Sequence, residues 1–180
     1  IIRGLVGSEM CIRDRPEGEM PETGCCTASD SEDARKVASK LDIPYYVLDY
    51  TESFSKNVVD NFIDMYAQGL TPNPCVECNR SVKFDHFLNQ AKKLNCEKVA
   101  TGHYAKIIKN ENFYELHKAD YLDKDQSYVL HMLKSDDLEN ILFPLGEITK
   151  PEVRQIAARL GLKTAFKKDS QDICFVGKKD

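Results

Sequence analysis

Nowhere in the 180-residue sequence does an apolar run approach the ~18 residues that span a bilayer, and no charged-then-apolar signal segment opens it. Those two absences point to a cytoplasmic protein with no membrane partner. Seven cysteines, an odd number at irregular spacing, do not form a disulfide framework. They are expected as reduced thiols, a few of them reactive or metal-binding. A formal net charge of −4 gives no general pull toward nucleic acid. The local group Lys163, Lys167, Lys168, Lys178 and Lys179 reads as a solvated face. Internal repeats and low-complexity tracts are also absent. What remains is 42% hydrophobic and 30% charged, which suits one domain, or one domain and the start of another, with a real core.

Residues 1–15, IIRGLVGSEMCIRDR, carry neither periodicity nor turn signals and resemble a translated sequencing-adapter tail. They are set apart as non-native, with their Cys11. Pro16 to Gly24 reads as an acidic loop. Ser29 and Glu32 form a capping-box pattern before a helix with Ala34, Val37, Ala38 and Leu41 on one face. Tyr45 to Leu48 favours a short buried strand. Phe54 to Tyr66 is a second amphipathic helix stopped by Gly69, and Thr71 to Cys78 is a stiff, proline-bearing loop. A third helix opens at Asn79, with Phe84, Phe87, Leu88 and Ala91 facing inward. Lys98 to Thr101 reads as a strand, Ala105 to Ile108 and Phe113 to Leu116 as a hairpin, and Gln126 to Leu142 as one or two helices. Thr149, Pro151 and Glu152 announce a last helix carrying Val153, Ile156, Ala157 and Leu160. The alternation over residues 29–102 favours a parallel sheet covered by helices.

Four segments could carry chemistry. In TPNPCVECN, residues 71–79, two prolines stiffen the backbone that presents Cys75 and Cys78. A helix opening at Asn79 would set unpaired amides beside Cys78 and favour its thiolate. The same C-x-x-C could be half of a zinc site, a redox pair or two half-buried structural residues, and no second C-x-x-C or H-x3-H accompanies it. In KDSQDICFVG, residues 168–177, Cys174 sits in a short apolar run and by itself reads as a core cysteine in a small strand. ATGHY, residues 100–104, places Gly102 and His103 at the carboxyl end of a strand, where open α/β folds bind ligands. KDQSY, residues 124–128, reads by itself as a polar helix start.

In this order and spacing the four segments resemble the tRNA 2-thiouridylase family. CCTASDSEDARKVASKLDIPYYVLD and FPLGEITKPEVR extend the likeness over nearly all of residues 24–180. The resemblance implies an α/β fold: a parallel-sheet, Rossmann-like, adenine nucleotide α-hydrolase-like ATP pyrophosphatase domain over residues 16–172. A small central domain would begin at 173–180. It implies ATP-dependent 2-thiolation of the wobble uridine, with ATP and magnesium, a tRNA substrate, and a sulfur-relay protein or cysteine desulfurase as donor. Cys174 would accept a persulfide sulfur, and Cys78 would end the reaction in a Cys78–Cys174 disulfide. Asn73, Pro74 and Cys75 would line the target base, Gly102 would touch ATP, and His103, Lys124, Asp125 and Gln126 would contact tRNA.

Two departures from the family pattern matter. Many members carry aspartate, with an acid–base role, where Cys75 stands. That substitution raises an iron–sulfur alternative in which Cys75, Cys78 and Cys174 are the ligands. Members also begin with a strand and an SGGxDSS phosphate loop, and end in a β-barrel. Here the adapter-like tail takes the place of the former and the sequence stops at Asp180. The fragment is therefore expected to be inactive and to bind ATP poorly. Two other readings stay open: a related ATP-pyrophosphatase-type tRNA sulfurtransferase acting on another nucleotide, and a non-catalytic zinc- or cluster-binding module built on Cys25, Cys26, Cys75 and Cys78.

Overall fold

The computed structural model describes residues 28–167 and Ile173. Cys11, Cys25, Cys26 and Cys174 lie outside the described residues. The chain divides into two compact units, one made of residues 1–74 and 167–180, the other of residues 75–166.

In the first unit, helix α1 (Ala28–Lys40) starts before the expected cap, so Ser29 lies inside its first turn. The Glu32 carboxylate turns to Arg35 instead, at 2.7 and 2.8 Å. Ala38 is buried, while Leu41 is exposed. The strand expected at Tyr45 to Leu48 does not form. Leu48 makes only an isolated bridge, and Tyr46 and Val47 are both about half exposed. β-Branched and aromatic residues express strand preference only against a paired, half-buried surface. Here the segment is fastened by a side chain instead, with Tyr45 and Ser31 hydroxyls 2.9 Å apart.

A continuous helical run follows, as α2 (Thr51–Phe54), a π-helical stretch (Ser55–Asp60) and α3 (Asn61–Ala67). It buries Phe54 and Val58 and stops before Gly69, whose φ of +79° suits a residue without a Cβ. The chain segments of this unit, far apart in sequence, are joined by Lys167, whose ammonium lies 2.7 Å from the Asp33 carboxylate.

The next helix begins at Pro74, not at Asn79. Helix α4 (Pro74–Glu77) runs into a π-helical stretch (Cys78–Phe84) and then α5 (Asp85–Lys93). Proline at a first helical position loses no hydrogen bond, because that amide has no intrahelical acceptor. Pro74 is thus a start signal where a loop was expected.

The second unit's core gathers Phe84, Leu88, Val99, Ala105, Val129, Leu130, Ile141 and Phe143. Strand β1 (Val99–Ala100) pairs in parallel with β4 (Ile141–Leu142), while β2 (Ala105–Lys109) and β3 (Tyr114–Lys118) form the expected antiparallel hairpin. The helices expected over 126–142 reduce to single turns, at Ser127–Val129 and in α6 (Ser135–Leu138). The amide of Gln126, where the helix was expected to open, donates to the Tyr104 carbonyl at 2.8 Å, and Ile141–Leu142 are drawn into the parallel ladder.

The expected last helix, α7 (Lys150–Arg159), opens with a capping box: Thr149 accepts from the Glu152 amide, and Glu152 accepts from the Thr149 amide at 2.9 Å. Its apolar face is only half covered, with Ile156 and Leu160 exposed. None of the described helices is long and apolar enough to cross a membrane.

Candidate functional site

Helix α4 decides how the C-x-x-C motif is presented. Cys75 lies in the first turn and is exposed, whereas Cys78 lies at the start of the π-helical stretch and is buried. The start of the helix therefore falls at Cys75, not at Cys78 as the sequence suggested. The wider π turn turns five of its seven residues inward: Cys78, Asn79, Ser81, Val82 and Phe84. Such turns are uncommon and concentrate at functional sites. Asn73 immediately precedes this helix and is exposed, while Pro74 is buried.

Within the second unit, three of the sequence motifs are tied to one another. Asn79, next to Cys78, donates from Nδ2 to the Val129 carbonyl at 3.3 Å. Val129 closes the turn that begins in KDQSY. In that segment Gln126 grips Tyr104 of ATGHY from both sides. Its Oε1 accepts from the Tyr104 amide at 3.0 Å, and its own amide donates to the Tyr104 carbonyl at 2.8 Å. Asp125 braces the same loop by accepting from the Ala119 amide at 2.8 Å and the Ser127 hydroxyl at 2.7 Å. Lys124 ends the short turn Leu122–Lys124 just before them. The side chain of Tyr128 points outward and is 63% exposed.

His103 follows β1 and sits against two phenylalanines, with ring centroids 6.0 Å from both Phe84 and Phe143. Thr101 Oγ1 lies 2.7 Å from its Nδ1. Burial, reinforced by the positive charge of Lys83, pushes its pKa down to about 3. At neutral pH the ring is uncharged and can exchange hydrogen bonds without acting as a cation. Gly102 beside it is exposed, and a Cβ there would meet only Leu145, at 3.8 Å. Space is thus open at the carboxyl end of β1 for a ligand to approach the backbone. Gly146 is different: a Cβ would fall 2.1 Å from the Ala105 carbonyl oxygen.

The fourth motif and its Cys174 lie outside the described residues, so neither the pairing of Cys174 with Cys78 nor a three-cysteine ligand set is displayed. Among the described residues no group of three His, Cys, Asp or Glu side chains is placed to hold a metal ion. Two residues escaped the sequence reading. Asn79 appeared only as a helix start, yet it is the side chain that connects two motifs. Gly146 lay inside FPLGEITKPEVR without a stated role, and a lone glycine between Leu145 and Glu147 was the available signal of close packing.

A family model described as the tRNA methyl transferase HUP domain matches residues 3–178. The chain belongs to this family. Membership in the HUP-domain family agrees with the α/β content and the parallel β1–β4 pair, and its match takes in most of residues 1–15. The chain is also similar to three curated relatives named tRNA-specific 2-thiouridylase MnmA. The protein of Clostridium perfringens is 47% identical over 173 residues, 96% of this chain and 48% of the relative. That of Clostridium botulinum is 46% identical over 177 residues, 98% and 49% respectively. That of Chloroflexus aurantiacus is 49% identical over 173 residues, 96% and 48%. The chain spans about half the length of the curated relatives it matches.

Proposed function

We propose that this chain is the cysteine-bearing, nucleotide-activating part of a tRNA-uridine 2-sulfurtransferase, acting in the cytoplasm on the wobble uridine. The observation that carries the reading is the linkage of the CECN, GHY and KDQSY segments within one unit by Asn79–Val129 and Gln126–Tyr104. The names of the relatives, nearly half identical over almost the whole chain, give the linkage its chemical meaning.

In this reading Gly102 lets the nucleotide approach the end of β1. Asn73, Pro74 and Cys75 face the target base. His103, Lys124, Asp125 and Gln126 hold the tRNA, Asp125 and Gln126 by shaping the loop that Lys124 enters. The exposed ring of Tyr128 offers a face on which an unstacked base can rest. ATP, with magnesium, supplies the activation that lets the uridine oxygen depart with AMP.

The chain's own thiols do the rest. The terminal sulfur of a Cys174 persulfide, loaded by a relay protein or cysteine desulfurase, bonds to the activated carbon. The Cys78 thiolate then attacks the inner sulfur of Cys174. The sulfur–sulfur bond of the persulfide breaks, its terminal sulfur stays on the base, and the two cysteines are left oxidised as a disulfide. Exposed Cys75 stands beside this path and is not needed for its balance.

The division of the chain into an adapter-derived 1–15, a catalytic 16–172 and a central domain from 173 is part of the proposal. The genomic sequence upstream of residue 16 tests it. The chemistry is tested in the full-length enzyme, purified without oxygen, by measuring 2-thiouridine in tRNA hydrolysates. Cys78→Ser and Cys174→Ser are expected to abolish the product, while Cys75→Asp retains it without bound iron. Full activity in Cys174→Ser overturns the reading. Activity that follows iron content and vanishes in Cys75→Ala replaces the persulfide route with the iron–sulfur cluster.

A further inference from the structure

Asn79 is 3% exposed, and only half of its amide is satisfied. Nδ2 reaches the Val129 carbonyl, while Oδ1 is buried and has no hydrogen-bond partner among the described residues. An orphaned buried oxygen is costly, and a leucine of similar size would remove it while keeping the volume filled. An asparagine with one idle end is therefore a poor choice for packing alone. Its working end crosses from the residue after Cys78 to the loop whose Gln126 holds Tyr104. We propose that Asn79 is a positioning residue that keeps the buried Cys78 segment in register with the 126–129 loop.

The role rests on the proposed sulfur-transfer reading for its purpose, but its geometry can be tested without activity. Cys78 is buried, so alkylation requires the segment to open locally. In the full-length enzyme, cysteine-by-cysteine alkylation under native conditions would be followed by peptide mass spectrometry. Half-buried Cys96, on the same unit, reports general loosening. Asn79→Leu is expected to speed Cys78 alkylation by about tenfold, the factor an ordinary hydrogen bond sets, and to leave Cys96 unchanged. Single-turnover thiolation should fall while the KM for tRNA holds, because the loop still binds but the thiol is misplaced. Asn79→Asp, with the same shape and no donor toward Val129, should behave like the leucine variant.

Equal acceleration of Cys78 and Cys96 would mean general destabilisation and would overturn the proposal. So would wild-type protection of Cys78 in either variant. If Asn79→Leu does not fold, Gln126→Leu loosens the 126–129 loop that carries the Val129 carbonyl. It is expected to raise Cys78 alkylation as well, and no rise there overturns the proposal. If the wild-type enzyme fails to thiolate tRNA, the sulfur-transfer reading fails by itself, and the alkylation comparison still decides the role of Asn79.

Discussion

His103 keeps a neutral imidazole in a segment proposed to contact tRNA. Its folded pKa, about 3, lies below its ordinary 6.5 because burial and Lys83 oppose the charge. On unfolding, the ring regains its ordinary affinity for a proton. Stability from this residue is thus fully present above pH ~6.5 and is lost as pH falls toward ~3, since the unfolded state binds the extra proton. Urea titrations of the wild type and His103→Phe should diverge over that window, with the variant less sensitive to acid. Equal acid sensitivity would show that His103 is not a source of the effect. Read in sequence, His103 stood at the carboxyl end of a strand, where open α/β folds bind ligands. The aromatic walls formed by Phe84 and Phe143, contributed from residues 19 and 40 positions away, were not legible there.

At the scale of elements, the contrast between two glycines separates structural need from open space. Gly146 packs its backbone on the first residue of β2, so Gly146→Ala must push the Ala105 carbonyl aside. Its expected cost is about 1–3 kcal/mol, seen as a lower urea midpoint with an unchanged slope. Gly102→Ala meets only a leucine methyl, and its stability should stay within about 0.5 kcal/mol of the parent. In the full-length enzyme the same change should raise the KM for ATP, because the methyl fills the space at the end of β1. An unaltered KM would overturn the proposed contact of Gly102 with the nucleotide.

The same scale explains which elements the sequence disclosed. The helix start at Thr149, the glycine stop at Gly69 and the hairpin expected from Ala105–Ile108 and Phe113–Leu116 depend on neighbours a few residues apart, and each formed as expected. The segments that differed depend on distant partners. Tyr45 to Leu48 had strand-like residues but no two-residue ladder, and Gln126 gave its amide to Tyr104 rather than to a helix. The π-helical turn at Cys78–Phe84 has no sequence signature at all, because it reflects packing of its buried face rather than local preference. The candidate cysteines were legible as a pair; which of them is buried was not.

For the molecule as a whole, the first unit is built from segments separated by the entire second unit. The Lys167–Asp33 pair joins those segments, yet both side chains are substantially solvated, at 43% and 31%. Lys167→Ala should accordingly change stability by less than about 1 kcal/mol, measured by thermal unfolding. A larger loss would make this one ion pair a principal clasp of the unit. The alternation of helix and strand that produces an α/β fold was legible in the sequence; the division into two compact units was not. The split at residue 75 lies inside a helix, where no linker composition announces it.

The interrupted unit has a consequence for biosynthesis. A ribosome delivers the chain from one end, so residues 75–166 are complete before Lys167 exists. The second unit can therefore assemble on the ribosome as soon as its last residues leave the exit tunnel. The first unit must meanwhile hold its early helices without Lys167, which joins its segments. At ~5–20 residues per second that interval lasts several seconds, long compared with the folding of a small domain. Over that interval the exposed Tyr46, Val47, Ile63 and Tyr66 of the early segment would be natural places for a nascent-chain chaperone to hold.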